Sequence, residues 1–175
     1  MSRKPPEILR VDRIASPLGE VLLVTDERGI LRALDFHDYE ARMRRLMRLH
    51  YGGTALGEGA APRDIREAIG RYFDGDIAAT EPIVWQTGGT DFQRSVWRAL
   101  TRIKPGTTTS YGALAMRLGA PQSSRAVGLA NGSNPISIVV PCHRVIGANG
   151  SLTGYGGGLH RKEWLLRHEG VTCEV

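Results

Sequence analysis

The chain has 175 residues, with 23 Lys and Arg against 18 Asp and Glu, a formal net charge of +5 and a pI near 9.6. Two cysteines exclude a disulfide scaffold and fit a reducing compartment, and no apolar run approaches the length of a membrane span. The positive surplus fits a polyanionic partner and equally an ordinary, mildly basic surface.

The opening stretch, Met1-Ser2-Arg3-Lys4-Pro5-Pro6-Glu7, carries no apolar signal-peptide core, so a cytoplasmic address is expected. Residues 8–36 read as a three-stranded meander. Apolar and polar residues alternate over 8–15, residues 21–24 are apolar, and alternation returns over 30–36. Ser16-Pro17-Leu18-Gly19 and Asp26-Glu27-Arg28-Gly29 supply the turns. Residues 39–49 set Met43, Leu46 and Met47 at helical spacing, with Arg42, Arg44, Arg45 and Arg48 elsewhere. These arginines suit either phosphates or the solvated face of an amphipathic helix. Residues 52–61 read as a Gly/Ala-rich loop, and Pro62 opens a helix carrying Ile65, Ile69, Tyr72 and Phe73. Residues 74–90 are rich in turn formers, which places a boundary near 87 and gives domains 1–87 and 88–175.

Beyond the boundary the pattern changes to short helices. Thr90 and Gln93 form a capping box ahead of Phe92, Val96, Leu100 and Ile103, and Lys104-Pro105-Gly106 ends that helix. Ser110 caps a helix over 111–118 that Gly119 stops, and Pro121 sits just inside another that runs to about 130. The pair, joined through Gly119-Ala120, reads as a helix-turn-helix or as two ordinary packed helices. A buried strand is expected at 136–140 and a turn-rich hairpin, a candidate wing, at 146–155. Gly156-Gly157-Gly158 then precedes a last helix over 159–168.

The most informative stretch is 136–146, Ile-Ser-Ile-Val-Val-Pro-Cys-His-Arg-Val-Ile. It places Cys142 where the chain leaves an apolar run, with a potential base next to it, which suits a shielded nucleophile. Neighbouring side chains of an extended segment point apart, so His143 needs a bridging water to take the thiol proton. A carboxylate would orient the imidazole, and Glu163 and Glu169 are the candidates. A structural cysteine beside a packing histidine has the same local sequence. Tyr111, Arg125, the loop 131–135, Tyr155 and the glycine triplet together suit a slot for a flat heterocycle. Singly they read as a core tyrosine, a solvated helix residue and flexible loops.

Several motifs stand in one order: Gly89-Thr90-Asp91-Phe92-Gln93 with Val96-Trp97; Thr109-Ser110-Tyr111-Gly112; Arg125-Ala126-Val127-Gly128; Asn134-Pro135-Ile136; Pro141-Cys142-His143-Arg144-Val145-Ile146; Gly154-Tyr155-Gly156-Gly157; and Lys162-Glu163-Trp164-Leu165-Leu166 with Glu169-Gly170. Over 88–171 the chain resembles the O6-alkylguanine-DNA alkyltransferase family, the methylated-DNA–protein-cysteine methyltransferases. The N-terminal half matches in size and order of elements.

The resemblance implies an α+β fold: a small antiparallel sheet with helices (ribonuclease H-like), then a mainly helical winged helix-turn-helix domain. It implies DNA repair by irreversible, stoichiometric transfer of the alkyl group from O6-alkylguanine, and from O4-alkylthymine, to Cys142. His143, through a water, and Glu169 would activate the thiol, Tyr111 would protonate the leaving base, and Asn134 would brace the loop. Val145, Tyr155, Gly156 and Lys162 would lie at the base. Arg125 would fill the gap left by the flipped nucleotide, and Gln93, Gly112, Ala120 and Ala148 would lie along the DNA. Arg144 would be structural.

Double-stranded DNA gripped through the minor groove is the implied partner, for a monomer without membrane contact. No organic cofactor or metal is expected, since no cysteine precedes 142 and only His37 and His50 stand in the N-terminal half. Ser137 adjoins the expected pocket, and Cys173 is expected to be a free surface thiol in a polar tail. A non-catalytic lesion binder or winged-helix regulator, and a thiol hydrolase, are the competing readings. Against the hydrolase, adjacent Cys and His make a poor direct dyad.

Overall fold

The computed structural model describes residues 4–173. Residues 1–3 of the stretch read for a targeting signal lie outside the described residues. The chain divides into two compact units, Met1–Gly89 and Thr90–Val175.

In the first unit, β1 (Leu9–Ile14), β2 (Val21–Asp26) and β3 (Leu31–Phe36) form the expected meander. Asp26 closes the second turn, its Oδ1 accepting from the backbone amides of Arg28 (2.8 Å) and Ile30 (3.1 Å). A single 3₁₀ turn leads into α1 (Glu40–Tyr51). The loop expected over 52–61 instead contains a fourth strand, β4 (Leu56–Glu58), which pairs in parallel with β1. The sheet is therefore mixed, in the order β3-β2-β1-β4, rather than antiparallel throughout. Three residues with glycine in the middle show no alternation, and α1 provides the crossover that a parallel neighbour requires.

Leu9, Val11, Leu22, Val24 and Ala33 on one sheet face pack with Met43, Leu46 and Met47 of α1. The arginines of α1 face outward. Arg42 pairs with Asp35, Arg44 pairs with Glu40, and Arg45 and Arg48 are exposed. Helix α2 (Arg63–Phe73) follows Pro62 as expected.

The second unit opens with α3 (Asp91–Leu100). Its capping box is complete: Thr90 Oγ1 accepts from Gln93 N (3.1 Å) and Gln93 Oε1 accepts from Thr90 N (2.9 Å). The helix ends at Leu100, short of the Lys104-Pro105-Gly106 stop, because the next residues take i→i+3 bonds. Thr101 Oγ1 also donates to the Arg98 carbonyl (2.6 Å). Ile103 remains buried at the end of that turn.

β5 (Thr109–Ser110) leads into α4 (Tyr111–Arg117). Ser110 Oγ caps this helix by accepting from Ala113 N (3.1 Å), and Gly119 leaves it at φ +70°. Helix α5 (Ser124–Gly132) starts after Pro121, not around it. Ser123 N donates to Ala120 O (2.9 Å), so Pro121 holds the second position of a turn, a site as favourable to its fixed φ as a first helical turn.

The strand expected at 136–140 is absent. The segment folds on itself, with Val139 N donating to Ser137 O (2.8 Å) and Val140 N to Ile136 O (3.0 Å), and Ile138 adopts φ +71°. A buried, largely apolar run looks the same in sequence whether it pairs with a neighbour or coils into a turn. The expected wing hairpin is also absent. β6 (Val145–Ile146) pairs in parallel with β5, and one turn follows, with Gly147 N donating to Ser151 O (2.9 Å). Asn149 Oδ1 takes the amide and hydroxyl of Ser151, so the loop is closed without a returning strand.

The last helix, α6 (Leu159–His168), has the expected bounds, and Gly170 follows at φ +91°. Cys173 is buried, contrary to the surface position expected: Arg167 Nη2 holds its carbonyl at 3.1 Å, and burial pushes the thiol pKa up. Among the described residues no helix is long and apolar enough to cross a membrane.

Candidate active site

Cys142 stands at a corner. Pro141 (φ −82°, ψ 66°) is the centre of an inverse γ-turn in which Cys142 N donates to Val140 O (2.8 Å), and Cys142–Arg144 then forms a 3₁₀ turn. The segment is therefore not the extended one that would send Cys142 and His143 to opposite faces. Cys142 is 5% exposed. The loop before it is tied at both ends by one side chain. Asn134 Nδ2 donates to Val140 O (2.7 Å) and more weakly to Ile136 O (3.4 Å), and Asn134 Oδ1 accepts from Ile136 N (3.0 Å). Between the ties, Ile138 holds a left-handed backbone that a β-branched residue rarely adopts.

Of the two candidate carboxylates, Glu169 meets the imidazole. His143 Nε2 lies 2.8 Å from Glu169 Oε2, while Glu163 pairs with Arg167 along the outside of α6. Arg144 completes the cluster with Nε donating to Glu169 Oε1 (2.7 Å), Nη2 to Oε2 (3.1 Å) and Nη1 to the Ile103 carbonyl (2.6 Å). Burial alone would raise the Glu169 carboxyl, but its bonds to His143 and the fixed charge of Arg144 outweigh burial and hold it well below the usual range. For His143, burial outweighs the carboxylate and lowers the pKa. The imidazole is thus neutral at pH 7, with its proton on Nε2 facing Glu169 and Nδ1 left as an acceptor. Nδ1 is buried and has no hydrogen-bond partner among the described residues.

Lys162 is wholly buried. Its Nζ donates to the carbonyls of Val145 (2.6 Å), Thr153 (2.6 Å) and Gly154 (3.4 Å), which commits all its protons to backbone. Burial lowers its pKa to about 8, against the pull of Cys142. Thr153 Oγ1 in turn donates to the Tyr111 hydroxyl (3.3 Å) at the start of α4. Lys162 thereby connects the Cys142 turn, the 147–155 loop and, through Thr153, Tyr111. Tyr155, the last residue of that loop, and Gly156 after it are half-buried.

The residues expected along a nucleic acid stand apart from this network. Arg125 is exposed in the first turn of α5 without a hydrogen-bond or ion-pair partner among the described residues, and Ala126 beside it is exposed. Gly112 has open space where a Cβ would project, Ala120 is half-buried before α5, and Ala148 is exposed in the 147–151 turn. Gln93 spends its side-chain oxygen on the cap. Sequence reasoning gave no role to Thr153 or Asn131, whose Nδ2 donates to the Cys142 carbonyl (3.4 Å). Asn131 is the first residue of the loop expected over 131–135, but nothing in its spacing points toward Cys142. Among the described residues no group of three or more His, Cys, Asp or Glu could hold a metal.

The family model described as 6-O-methylguanine DNA methyltransferase, DNA binding domain, matches residues 91–171. A methylated-DNA–protein-cysteine methyltransferase of Salmonella typhimurium is 51% identical over 161 residues, spanning 91% of this chain and 94% of the relative. One from Methanosarcina acetivorans is 43% identical over 155 residues, spanning 89% and 94%. Among solved structures, Mycobacterium tuberculosis OGT in complex with DNA superposes with a TM-score of 0.78 at 41% identity, covering 91% of this chain and 92% of that one. Identity of this order extends beyond the cysteine turn to nearly the full length of both chains, and it places the chain in the methylated-DNA–protein-cysteine methyltransferase family.

Proposed function

We propose that the protein repairs DNA by direct reversal, with Cys142 accepting the alkyl group of O6-alkylguanine, and of O4-alkylthymine, once per molecule. The observation that carries this reading is the buried relay of His143, Glu169 and Arg144 beside a cysteine held at a turn. The thiol proton passes through a water to His143 Nδ1, and Glu169 stabilises the imidazolium. The thiolate attacks the alkyl carbon in line, an S–C bond forms, and the C–O6 bond breaks with its electron pair going to the base. Tyr111, which already accepts from Thr153, donates its phenol proton to that developing charge. The product is a thioether that no group near it can cleave, so one molecule turns over once.

The target carbon lies inside a stacked duplex, so the nucleotide must leave the helix, at a cost of a few kcal/mol that a badly paired lesion lowers. Arg125, exposed on α5 without a hydrogen-bond or ion-pair partner among the described residues and with small Ala126 beside it, fits the role of filling the gap from the minor groove. Gln93, Gly112, Ala120 and Ala148 would approach the backbone of the double-stranded DNA, and Val145, Tyr155, Gly156 and Lys162 would form the base pocket. The protein acts in this reading as a cytoplasmic monomer, with residues 88–175 carrying both the acceptor and the DNA-binding surface. A lesion binder without transfer would have no use for a proton relay at the cysteine.

Incubation with duplex DNA bearing a radiolabelled O6-methylguanine tests the proposal. Label should move to the protein, stop at one methyl per chain, map to the Cys142 peptide, and fail to move in Cys142→Ala. Label that stays on DNA despite tight binding, or that transfers equally in the variant, would reject it.

A further inference from the structure

We infer that Asn131 is a positioning residue that anchors, through its side-chain oxygen, the water carrying the Cys142 proton to His143. The inference rests on the proposed relay and adds a third member to it.

Two buried acceptors lack partners among the described residues, one on the residue after Cys142 and one on the residue whose amide reaches the Cys142 carbonyl: His143 Nδ1 and Asn131 Oδ1. Asn131 is 5% exposed, in the last turn of α5, and its Nδ2 donates to the carbonyl of Cys142. That carbonyl belongs to the peptide joining Cys142 to His143, so the amide flanks the unit from which both the thiol and the imidazole hang. Its orientation is set by the same bond, because turning it over would place oxygen against oxygen. The end of α5 is itself fixed, since Trp97 Nε1 donates to the Ala130 carbonyl (2.8 Å).

Two buried acceptors without donors are the environment that a single water satisfies. Such a water donates one proton to Nδ1 and the other to Asn131 Oδ1, and accepts from the thiol. When the thiol ionises, its proton passes to the water oxygen and the water's proton passes to Nδ1. The products are thiolate and imidazolium, with the water intact and its second proton still on Asn131. Without that anchor the water loses its orientation between sulfur and nitrogen.

The test compares Asn131→Leu and Asn131→Met, which fill the space without an acceptor, with Asn131→Ala, which leaves room for a second water. Iodoacetamide alkylation of Cys142 is followed across pH, alongside single-turnover methyl transfer from O6-methylguanine in duplex DNA and thermal unfolding. Leu and Met should slow both reactions at neutral pH roughly tenfold to a hundredfold, the penalty of misplacing a reacting group by about an ångström. The alkylation deficit should close above about pH 8.5, where an ordinary thiol ionises unaided. Ala should fall between them and the parent in rate, although its packing loss makes it the less stable variant. Leu and Met rates equal to the parent's, or Ala the slowest, would overturn the inference. If the parent takes no methyl from DNA while the alkylation order holds, the proposed function falls and the role of Asn131 stands.

Discussion

His143 Nε2 lies 2.8 Å from Glu169 Oε2 with both side chains sealed from solvent, and this one contact leaves Nδ1 as the imidazole's open acceptor. The carboxyl is held well below its ordinary value of 4.5. Its contribution to stability is therefore fully present above about pH 4.5 and is lost as pH falls toward the folded value. Glu169→Gln leaves Arg144 buried without its counter-charge and should cost about 3–5 kcal/mol. Urea unfolding across pH should show a steep acid loss in the parent and a flatter one in the variant. Equal slopes would place the acid response elsewhere.

Lys162→Met strands the carbonyls of Val145 and Thr153, each of which loses a 2.6 Å bond, at about 1–3 kcal/mol apiece. The loop carrying Thr153 should loosen, so transfer from an O6-alkylguanine should fall further than iodoacetamide alkylation of Cys142. Equal losses would point to the charge on Lys162 rather than its bonding. Because its pKa drops from 10.5 to about 8 on folding, the unfolded chain binds more protons between these values, and this group makes stability rise with pH there. The variant should lack that rise.

Ile138 holds φ +71° four residues ahead of Cys142. Ile138→Ala keeps the strain and loses packing, whereas Ile138→Gly loses both. Glycine should then be the more stable of the two by about 1–3 kcal/mol, the reverse of their usual order. If the strained turn aims Cys142, glycine should nevertheless transfer methyl more slowly than alanine. Paired chemical denaturation and single-turnover assays check both parts.

Arg125→Ala removes an exposed side chain without hydrogen-bond or ion-pair partners among the described residues, so stability should move by no more than about 0.5 kcal/mol. Transfer from lesions in duplex DNA should slow markedly, while reaction with a free O6-alkylguanine base should not. A parallel loss on both substrates would count against the gap-filling role.

The parts of the fold legible in the sequence are those set by local chemistry. Thr90 with Gln93, Ser110 and Gly119 each declare a helix end through one or two hydrogen bonds or a required φ. Residues 136–140 were illegible because β-branched content reports burial rather than pairing, and Asn134 satisfies backbone that a neighbouring strand would otherwise serve. The choice between Glu163 and Glu169 was open for a related reason. Both lie at the last helix, and only the chain reversal past Gly170, with Arg144 reaching in, distinguishes them. Cys142 and His143 stood out from their local sequence as a shielded thiol with a potential base, whereas the proton-donating role of Tyr111 came from the resemblance. The fastening of Val145 and Thr153 by Lys162 depends on three carbonyls separated along the chain, which no spacing rule encodes.

The reciprocal cap at Thr90 sits on the first residue of the second unit, so the amides of Thr90 and Gln93 are both met from within that unit. A ribosome finishing that half, or a recombination event splicing it behind a foreign segment, would deliver a helix already able to begin.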